Sequence, residues 1–404
     1  MNLIESLRGT IADQLIEEGA ASTCQACGND GLVAFYEANN LPVQTCVLLD
    51  EETESIRYPK GDLLLCFCER CGFIQNTRFD PSLVDYSKPT EESQAFSPRF
   101  SAFAAGLADE LVRRNHLQGR SVLEIGCGKG DFLVLLAERG IGSGVGVDPG
   151  FMPNRSEVSA ASLSFIRDWY GPAQNGQSAD LVLTRHLMEH VANAGEFLGW
   201  LADTTRQTPG AVLFTEVPDA RRVLAEGAFW DVYYEHCSYF TLGSLARAIS
   251  ATGLRVSRLT TGFDDQYLLA EGVQGSDEPG QSGETPDEMA GLVAEFASVA
   301  AKRVRFWGDR IRGIQKRGGS VAVWGGGSKA VAFLSTVDVK DVTVVDINPH
   351  KQGKWLPTVG VKVEPPGVLR TIKPDLVIPM NAIYIDEINA DLASMSIVAD
   401  VDAV

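Results

Sequence analysis

The segment from Ser121 to Asp148 leaves the chain few choices of fold. Val122 to Ile125 is an apolar run that reads as a buried strand, and it leads into Gly126-Cys127-Gly128-Lys129-Gly130. These glycines let the backbone turn tightly and come close to a ligand, and a helical pattern follows from Phe132 to Arg139. A second short strand, Gly144 to Val147, ends at Asp148. Strand, glycine turn, helix and strand make the first half of a doubly wound α/β sheet, whose ligands bind beyond the strands' carboxyl ends. Two carboxylates narrow the ligand. Glu124 stands two residues before the first glycine, where it would repel a pyrophosphate and welcome an amino-acid ammonium. Asp148 stands where it can hold the two hydroxyls of a ribose. A glycine triplet alone also suits an ordinary βα turn, so the acidic strand ends carry the reading.

The segment Glu124-x-Gly126-x-Gly128-x-Gly130, followed by an acidic strand end, resembles the S-adenosylmethionine site of class I methyltransferases. Three further strands continue the sheet: Leu163 to Ile166, ending in Asp168-Trp169; Asp180 to Thr184, ending in Arg185-His186; and Val212 to Thr215, ending in Glu216. Asp168 can accept a hydrogen bond from an adenine amine with Trp169 beside the ring, and His186 joins the methyl-donor side. The alternative for the Asp168 pair is an ordinary loop.

Upstream, Cys24-Gln-Ala-Cys27 and Cys68-Glu-Arg-Cys71 are paired Cys-x-x-Cys knuckles. Together they supply the four sulfurs of a closed structural zinc site, which leaves no coordination position for chemistry. Gly28 and Gly72 follow the knuckles and suit the turn that wraps a metal. The stretch between them, Val33 to Phe67, reads as a small β-rich module. Cys66 is a fifth candidate that can compete with Cys68, Cys46 reads as a small buried apolar residue, and unliganded reduced thiols are the alternative. With eight cysteines and no secretion-type leader, the chain reads as cytoplasmic, without disulfides.

The formal net charge of -18 excludes a nucleic-acid substrate, because a polyanion would be repelled. No apolar run is long enough to span a membrane, and Met1 to Gly19 has the spacing of an amphipathic helix. A length of 404 residues suggests two or three domains. The Gly-, Pro-, Ser- and acid-rich stretch from 273 to 286 reads as a linker. Beyond a helical pattern from Glu288 to Lys316 lies a second strand–glycine–helix unit, Val321 to Trp324, Gly325-Gly-Gly327-Ser-Lys329-Ala330, and then Val342 to Asp346. The expected organisation is therefore 1–85, an N-terminal helix and zinc module; 86–272, the methyltransferase unit; and 287–404, a second Rossmann-like unit.

Proton-handling groups cluster in Trp230-Asp-Val-Tyr233-Tyr234-Glu235-His236, beyond the fifth strand, and in Arg185-His186-Leu-Met-Glu189-His190, after the fourth. Histidine titrates near neutrality and is the usual general base, and Glu235 or Glu189 can orient an imidazole. Partly buried structural histidines are the alternative for each. His186 and His190, four apart, have the spacing of a metal pair, but no third ligand is evident.

The knuckles, the glycine loop, the His-Val after the fourth strand, Tyr233-x-Glu235-His236, Val-Val-Asp346-Ile-Asn-Pro-His-Lys-Gln-Gly and Asn381-Ala-Ile-Tyr384 occur in one order. In this the chain resembles the three-domain sugar C-methyltransferases of deoxysugar biosynthesis, which act on nucleotide-linked 4-keto-6-deoxy sugars. The resemblance implies that His236 is the base, with Tyr233, Glu235 and His190 lining the sugar site. It also implies that the C-terminal unit helps to hold the nucleotide diphosphate. Tyr233 would then stabilise the oxyanion of an enolate, Lys329 and the Gly325–Gly327 turn would face the diphosphate, and Tyr86, Tyr234 and Asn381 would complete the substrate site. The expected species is a monomer or small homo-oligomer. The segment Tyr86-Ser-Lys-Pro-Thr-Glu91-Glu92-Ser93-Gln94 departs from the family's Tyr-rich wording, and Asn381-Ala-Ile-Tyr384 matches it only approximately. Competing readings are an O- or N-methyltransferase, an NAD-dependent oxidoreductase using Gly325 to Asp346, and a zinc-bearing binding protein on an inactive methyltransferase fold.

Overall fold

The computed structural model describes residues 23–152, 162–172, 177–275 and 283–404. The amphipathic segment 1–19 and the middle of the proposed linker lie outside the described residues. Near the N-terminus, β1 (Leu32–Pro42), β2 (Lys60–Cys68) and β3 (Ile74–Asn76) form an antiparallel meander, as the broken apolar runs suggest.

Next come β4 (Ser121–Ile125), β5 (Ser143–Val147), β6 (Leu163–Ile166), β7 (Leu181–Arg185) and β8 (Val212–Pro218), all parallel. They are followed by a two-residue strand, β9 (Ser238–Tyr239), and by the antiparallel pair β10 (Leu254–Gly262) and β11 (Tyr267–Gln274). The sheet order is β10-β11-β8-β7-β4-β5-β6, with β11 antiparallel to β8. The reversal at β4 makes a crevice at the carboxyl end of that strand, where the first glycine loop lies. α1 (Pro98–Arg114), α2 (Asp131–Glu138), α3 (Ala194–Arg206), α4 (Ala220–Glu226) and α5 (Leu242–Ala251) accompany the sheet. Ser97 caps α1 by accepting a hydrogen bond from Phe100 N, and α1 buries Leu107, Ala108, Leu111 and Val112, a stripe at helical spacing. The terminal pair β10–β11 was not foreseen in the sequence; β11 extends to Gln274, inside the stretch read as linker.

The helix α6 (Pro286–Lys316) opens with a capping box between Thr285 and Glu288. It leads to a third sheet, order β14-β13-β12-β15-β16 and parallel throughout, of β12 (Val321–Trp324), β13 (Thr343–Val345), β14 (Val363–Glu364), β15 (Leu376–Pro379) and β16 (Asp400–Val401). α7 (Ser328–Val337) follows its glycine loop.

The three sheets are not separately cored. One continuous apolar cluster joins Phe35 of β1, Trp230 and Tyr234 of the segment before β9, Phe296 of α6, and Val323 and Phe333 of the third unit. In addition β9 pairs with β3 of the N-terminal meander, so the segment after His236 is a strand of the metal module's sheet. Among the described residues no helix is long and apolar enough to cross a membrane.

Candidate active site

The two glycine loops are built alike. After β4, Gly126, Gly128 and Gly130 all hold positive φ (74°, 53° and 84°), a region open to glycine and strained for other residues. A side-chain carbon at Gly130 would lie 2.6 Å from the Phe165 ring. Asp148 locks this turn, its carboxylate accepting from Gly128 N at 3.0 Å and Gly150 N at 2.7 Å. After β12, Asp346 does the same for Gly326 N at 2.7 Å and Asn348 N at 2.8 Å. There the similarity ends, because the Lys351 ammonium sits 3.6 Å from Asp346 and close over Gly327.

Both loops open into one cavity of about 950 Å³. It is lined by Glu124, the first glycine loop, Asp148, Trp169, His186, His190, Tyr233, Glu235 and His236, and across from them by Gly325, Lys329 and Asn381. Glu124 is almost fully buried and its Oε2 has no hydrogen-bond partner. Burial pushes its carboxyl up to about 8, with Arg185 opposing and Asp131 and Asp148 adding to the rise. A buried acceptor of this kind suits an ammonium. Together with a cradle that side chains would fill, it fits the amino-acid end of S-adenosylmethionine. Asp168 differs from expectation: it is exposed, is not part of the cavity wall, and accepts from Trp169 N. Trp169 remains on the rim, edge-on to Tyr86 at 6.0 Å between ring centroids.

Below the loop, Glu216 is fully buried and clasps Arg185 through Nε at 2.7 Å, with His186 Nε2 at 3.0 Å. Burial opposes charge on His186, but Glu216 and Glu189 outweigh it and raise the imidazole to about 9. His186 is therefore a cation at neutral pH, part of a buried charge cluster beneath the methyl-donor site.

The proton-handling groups do converge. The His236 ring lies edge-on to Tyr233 and His190, with centroids 4.5 and 4.7 Å away. Burial, reinforced by His190, lowers His236 to about 3, so the imidazole is neutral across the physiological range. Tyr86 OH lies 3.1 Å from His190 Nδ1. Glu189 lies with both of these imidazoles, the three ligand atoms all within 4.8 Å, whereas the His186–His190 pair spaced for a metal does not form such a group among the described residues. Glu235 does not bond an imidazole; its Oε1 accepts from Thr45 N at 2.9 Å and from the Thr45 hydroxyl.

Four further side chains differ from expectation. Tyr234 points away from the cavity: its ring covers Gly61 of β2, and its hydroxyl accepts from Asp80 N at 2.9 Å. The Tyr233 hydroxyl donates to Asp231 at 3.0 Å, which commits the proton assigned to an oxyanion. Lys329 Nζ also binds Asp231, at 2.9 Å, and Asn381 exchanges amide hydrogen bonds with Gln266 at 2.8 and 3.1 Å.

The unfamiliar segment after Tyr86 is a strap across the cavity. Glu92 pairs with Lys129 of the first glycine loop at 2.6 Å, and Glu91 accepts from Asn348 of the third unit at 3.0 Å. Gln94 bridges Tyr267 at 3.2 Å and Tyr384 at 3.0 Å. Its run of short polar and acidic residues was the available sign of a hydrogen-bonded connector.

The knuckles form a matched pair. Gly28 N donates to Cys24 O and Gly72 N to Cys68 O, each at 2.8 Å, with both glycines at positive φ. Sulfur separations are 3.6 Å for Cys24–Cys71 and 3.7 Å for Cys27–Cys68. Four sulfurs at about 2.3 Å from a tetrahedral zinc stand about 3.8 Å apart, so the set fits that ion and is far too wide for disulfides. Cys66 is apart from them, beside the Thr77 hydroxyl at 3.5 Å.

Residues 98–259 match the methyltransferase domain model, and 288–398 match the C-methyltransferase C-terminal domain model. The chain is an S-adenosylmethionine-dependent methyltransferase. C-methyltransferase NovU of Streptomyces niveus is 26% identical over 359 residues, covering 83% of each chain. A ubiquinone biosynthesis O-methyltransferase of Rhizobium johnstonii is 30% identical over 34% of this chain and 60% of its own. Among solved structures, the magnesium protoporphyrin IX methyltransferase of Synechocystis with bound SAH is 18% identical, with a TM-score of 0.35 over 44% of this chain and 84% of its own.

Proposed function

We propose that this methyltransferase is a C-methyltransferase acting on a nucleotide-linked 4-keto-deoxy sugar, forming an enolate by proton abstraction and methylating its carbon. The observation that carries the reading is the single cavity, whose walls a neutral imidazole, His236, shares with the methyl-donor loop and the C-terminal glycine loop. When bound, S-adenosylmethionine supplies an electrophilic methyl on sulfonium. Glu124 holds the ammonium, Asp148 the ribose and Trp169 the rim beside the adenine. His236 takes the proton from the carbon next to the ketone, whose electrons move towards oxygen. Tyr86 and His190 are hydrogen-bonded to each other at 3.1 Å, which leaves one of the two a proton to donate to the developing oxyanion. The enolate carbon then takes the methyl as the sulfur keeps its bonding pair. The loop at Gly325–Ser328 and the N-terminus of α7 offer backbone donors for a diphosphate. Cys24, Cys27, Cys68 and Cys71 hold a structural zinc.

The test is mass spectrometry of the protein with methyl donor and a panel of nucleotide-linked sugars in deuterated water. A gain of one methylene confined to 4-keto sugars, with deuterium entering the neighbouring carbon, supports the reading. A methoxy signal in the product's NMR spectrum overturns it in favour of O-methylation.

A further inference from the structure

The resemblance placed Lys329 and Tyr233 in separate jobs, one on the diphosphate and one on the sugar. Their side chains instead meet at one carboxylate. Asp231 lies in a short turn (Phe229–Asp231) just before the catalytic tyrosine and is nearly buried. Its Oδ2 takes Lys329 Nζ at 2.9 Å and an Arg222 guanidinium nitrogen at 2.6 Å, and its Oδ1 accepts from the Tyr233 hydroxyl at 3.0 Å. The same turn is gripped a second time by α7, because Phe229 stacks on Phe333 with centroids 5.8 Å apart and planes 20° apart. Lys329 and Phe333 are four residues apart and so share one face of that helix. The other end of the chain of contacts is the base: the Tyr233 ring stands edge-on to the His236 imidazole at 4.5 Å.

We propose that Lys329, through Asp231, is a positioning residue that fixes Tyr233 against His236, so that the C-terminal unit completes the catalytic site. Lys329 then contributes to turnover and little to acceptor affinity. With its proton given to Asp231, the Tyr233 oxygen offers the cavity an acceptor, suited to a sugar hydroxyl. Arg222 alone keeps Asp231 charged when Lys329 is removed but holds it from the α4 side only, so the turn is free to move with the ring it carries. Misplacement of a reacting group by about 1 Å costs about a hundredfold in rate.

The inference rests on the methyl-transfer reading for its kinetic test, and a second measurement is independent of that reading. In the full-length, donor-bound protein, Lys329→Met should lower kcat about a hundredfold with the acceptor KM within twofold and donor affinity unchanged. Lys329→Arg, which restores the ion pair, should recover most of the loss. A rise in KM with kcat retained would make Lys329 an acceptor ligand and overturn the proposal, as would equal losses in the Met and Arg variants. Without any acceptor, the His236 imidazole C–H resonance, resolvable among five histidines, should shift in Lys329→Met and return in Lys329→Arg as the Tyr233 ring moves. An unmoved resonance in a folded Lys329→Met protein refutes the proposal whatever the acceptor proves to be.

Discussion

Binding of S-adenosylmethionine should expel a proton from Glu124. Burial holds this carboxyl at about 8, so at pH 7 the free protein carries it about nine-tenths protonated. An ammonium at hydrogen-bonding distance favours the charged form by about 2–3 pH units, which leaves the bound carboxyl almost fully ionised. Complex formation at pH 7 therefore releases about 0.8 proton from this site, and donor affinity rises roughly sevenfold from pH 6 to pH 7. The same numbers limit what the residue contributes at neutrality. A charge-assisted hydrogen bond is worth about 1.5–3 kcal/mol, and ionising the carboxyl at pH 7 takes back about 1.4 kcal/mol. Glu124→Gln should consequently bind the donor at most about tenfold more weakly at pH 7, with the gap closing towards pH 6. Asp148 is also raised by burial, so some proton release persists in the variant, and the difference between the two proteins isolates Glu124. Isothermal titration calorimetry in phosphate and in Tris, whose ionisation enthalpies differ, counts the protons directly. Equal proton release by wild type and Glu124→Gln, or a wild-type affinity flat between pH 6 and 7, would refute the placement of the ammonium.

The base assignment requires His236→Ala to lose at least about a hundredfold in turnover while binding the donor normally; parallel losses in both would overturn it. Cys71→Ser should lose bound zinc, counted by elemental mass spectrometry, and N-terminal stability, whereas Cys66→Ser should keep one zinc per chain. Full retention of zinc by the Cys71 variant would show another ligand set. His186, raised to about 9 by Glu216 and Glu189 against the pull of burial, stabilises the fold fully below about pH 6.5 and loses that contribution as pH rises through 9. The contribution is up to about 3 kcal/mol and depends on Glu216. Denaturant midpoints at pH 6.5 and 9.5 should converge in Glu216→Gln relative to wild type, and identical pH dependence in the two proteins would sink this account.

The parts of the molecule read correctly from sequence are those whose chemistry is local. Gly126 to Gly130, the two Cys-x-x-Cys knuckles and the second glycine loop each declare a turn within a few residues, and their structures agree with the spacing. The histidines of the cavity were found because the chain has only five and three of them fall in two short segments. What escaped was long-range pairing. Asp231 reads as one acid among many until Lys329, 98 residues on, is seen against it. Tyr234 reads as a cavity residue until Gly61 of β2 is seen beneath its ring. Gly61 itself was the overlooked clue, since glycine inside a strand marks the close approach of another group. Glu216 gave no sign at all, because a carboxylate at a strand end looks the same whether it meets a ligand or two buried cations.

The two-residue strand β9 has a corollary. Its neighbour Cys237 accepts a hydrogen bond from Asn76 N at 3.0 Å, and Ser238 registers with Gln75, so the chain immediately after His236 is tethered to β3, the strand that follows the second knuckle. Cys24, Cys68 and Cys71 also share an apolar core with Leu123, Val182 and Leu213 of the methyl-donor sheet. A chelator that strips metal from the knuckles should therefore loosen the backbone beside His236 and the methyl-donor sheet together.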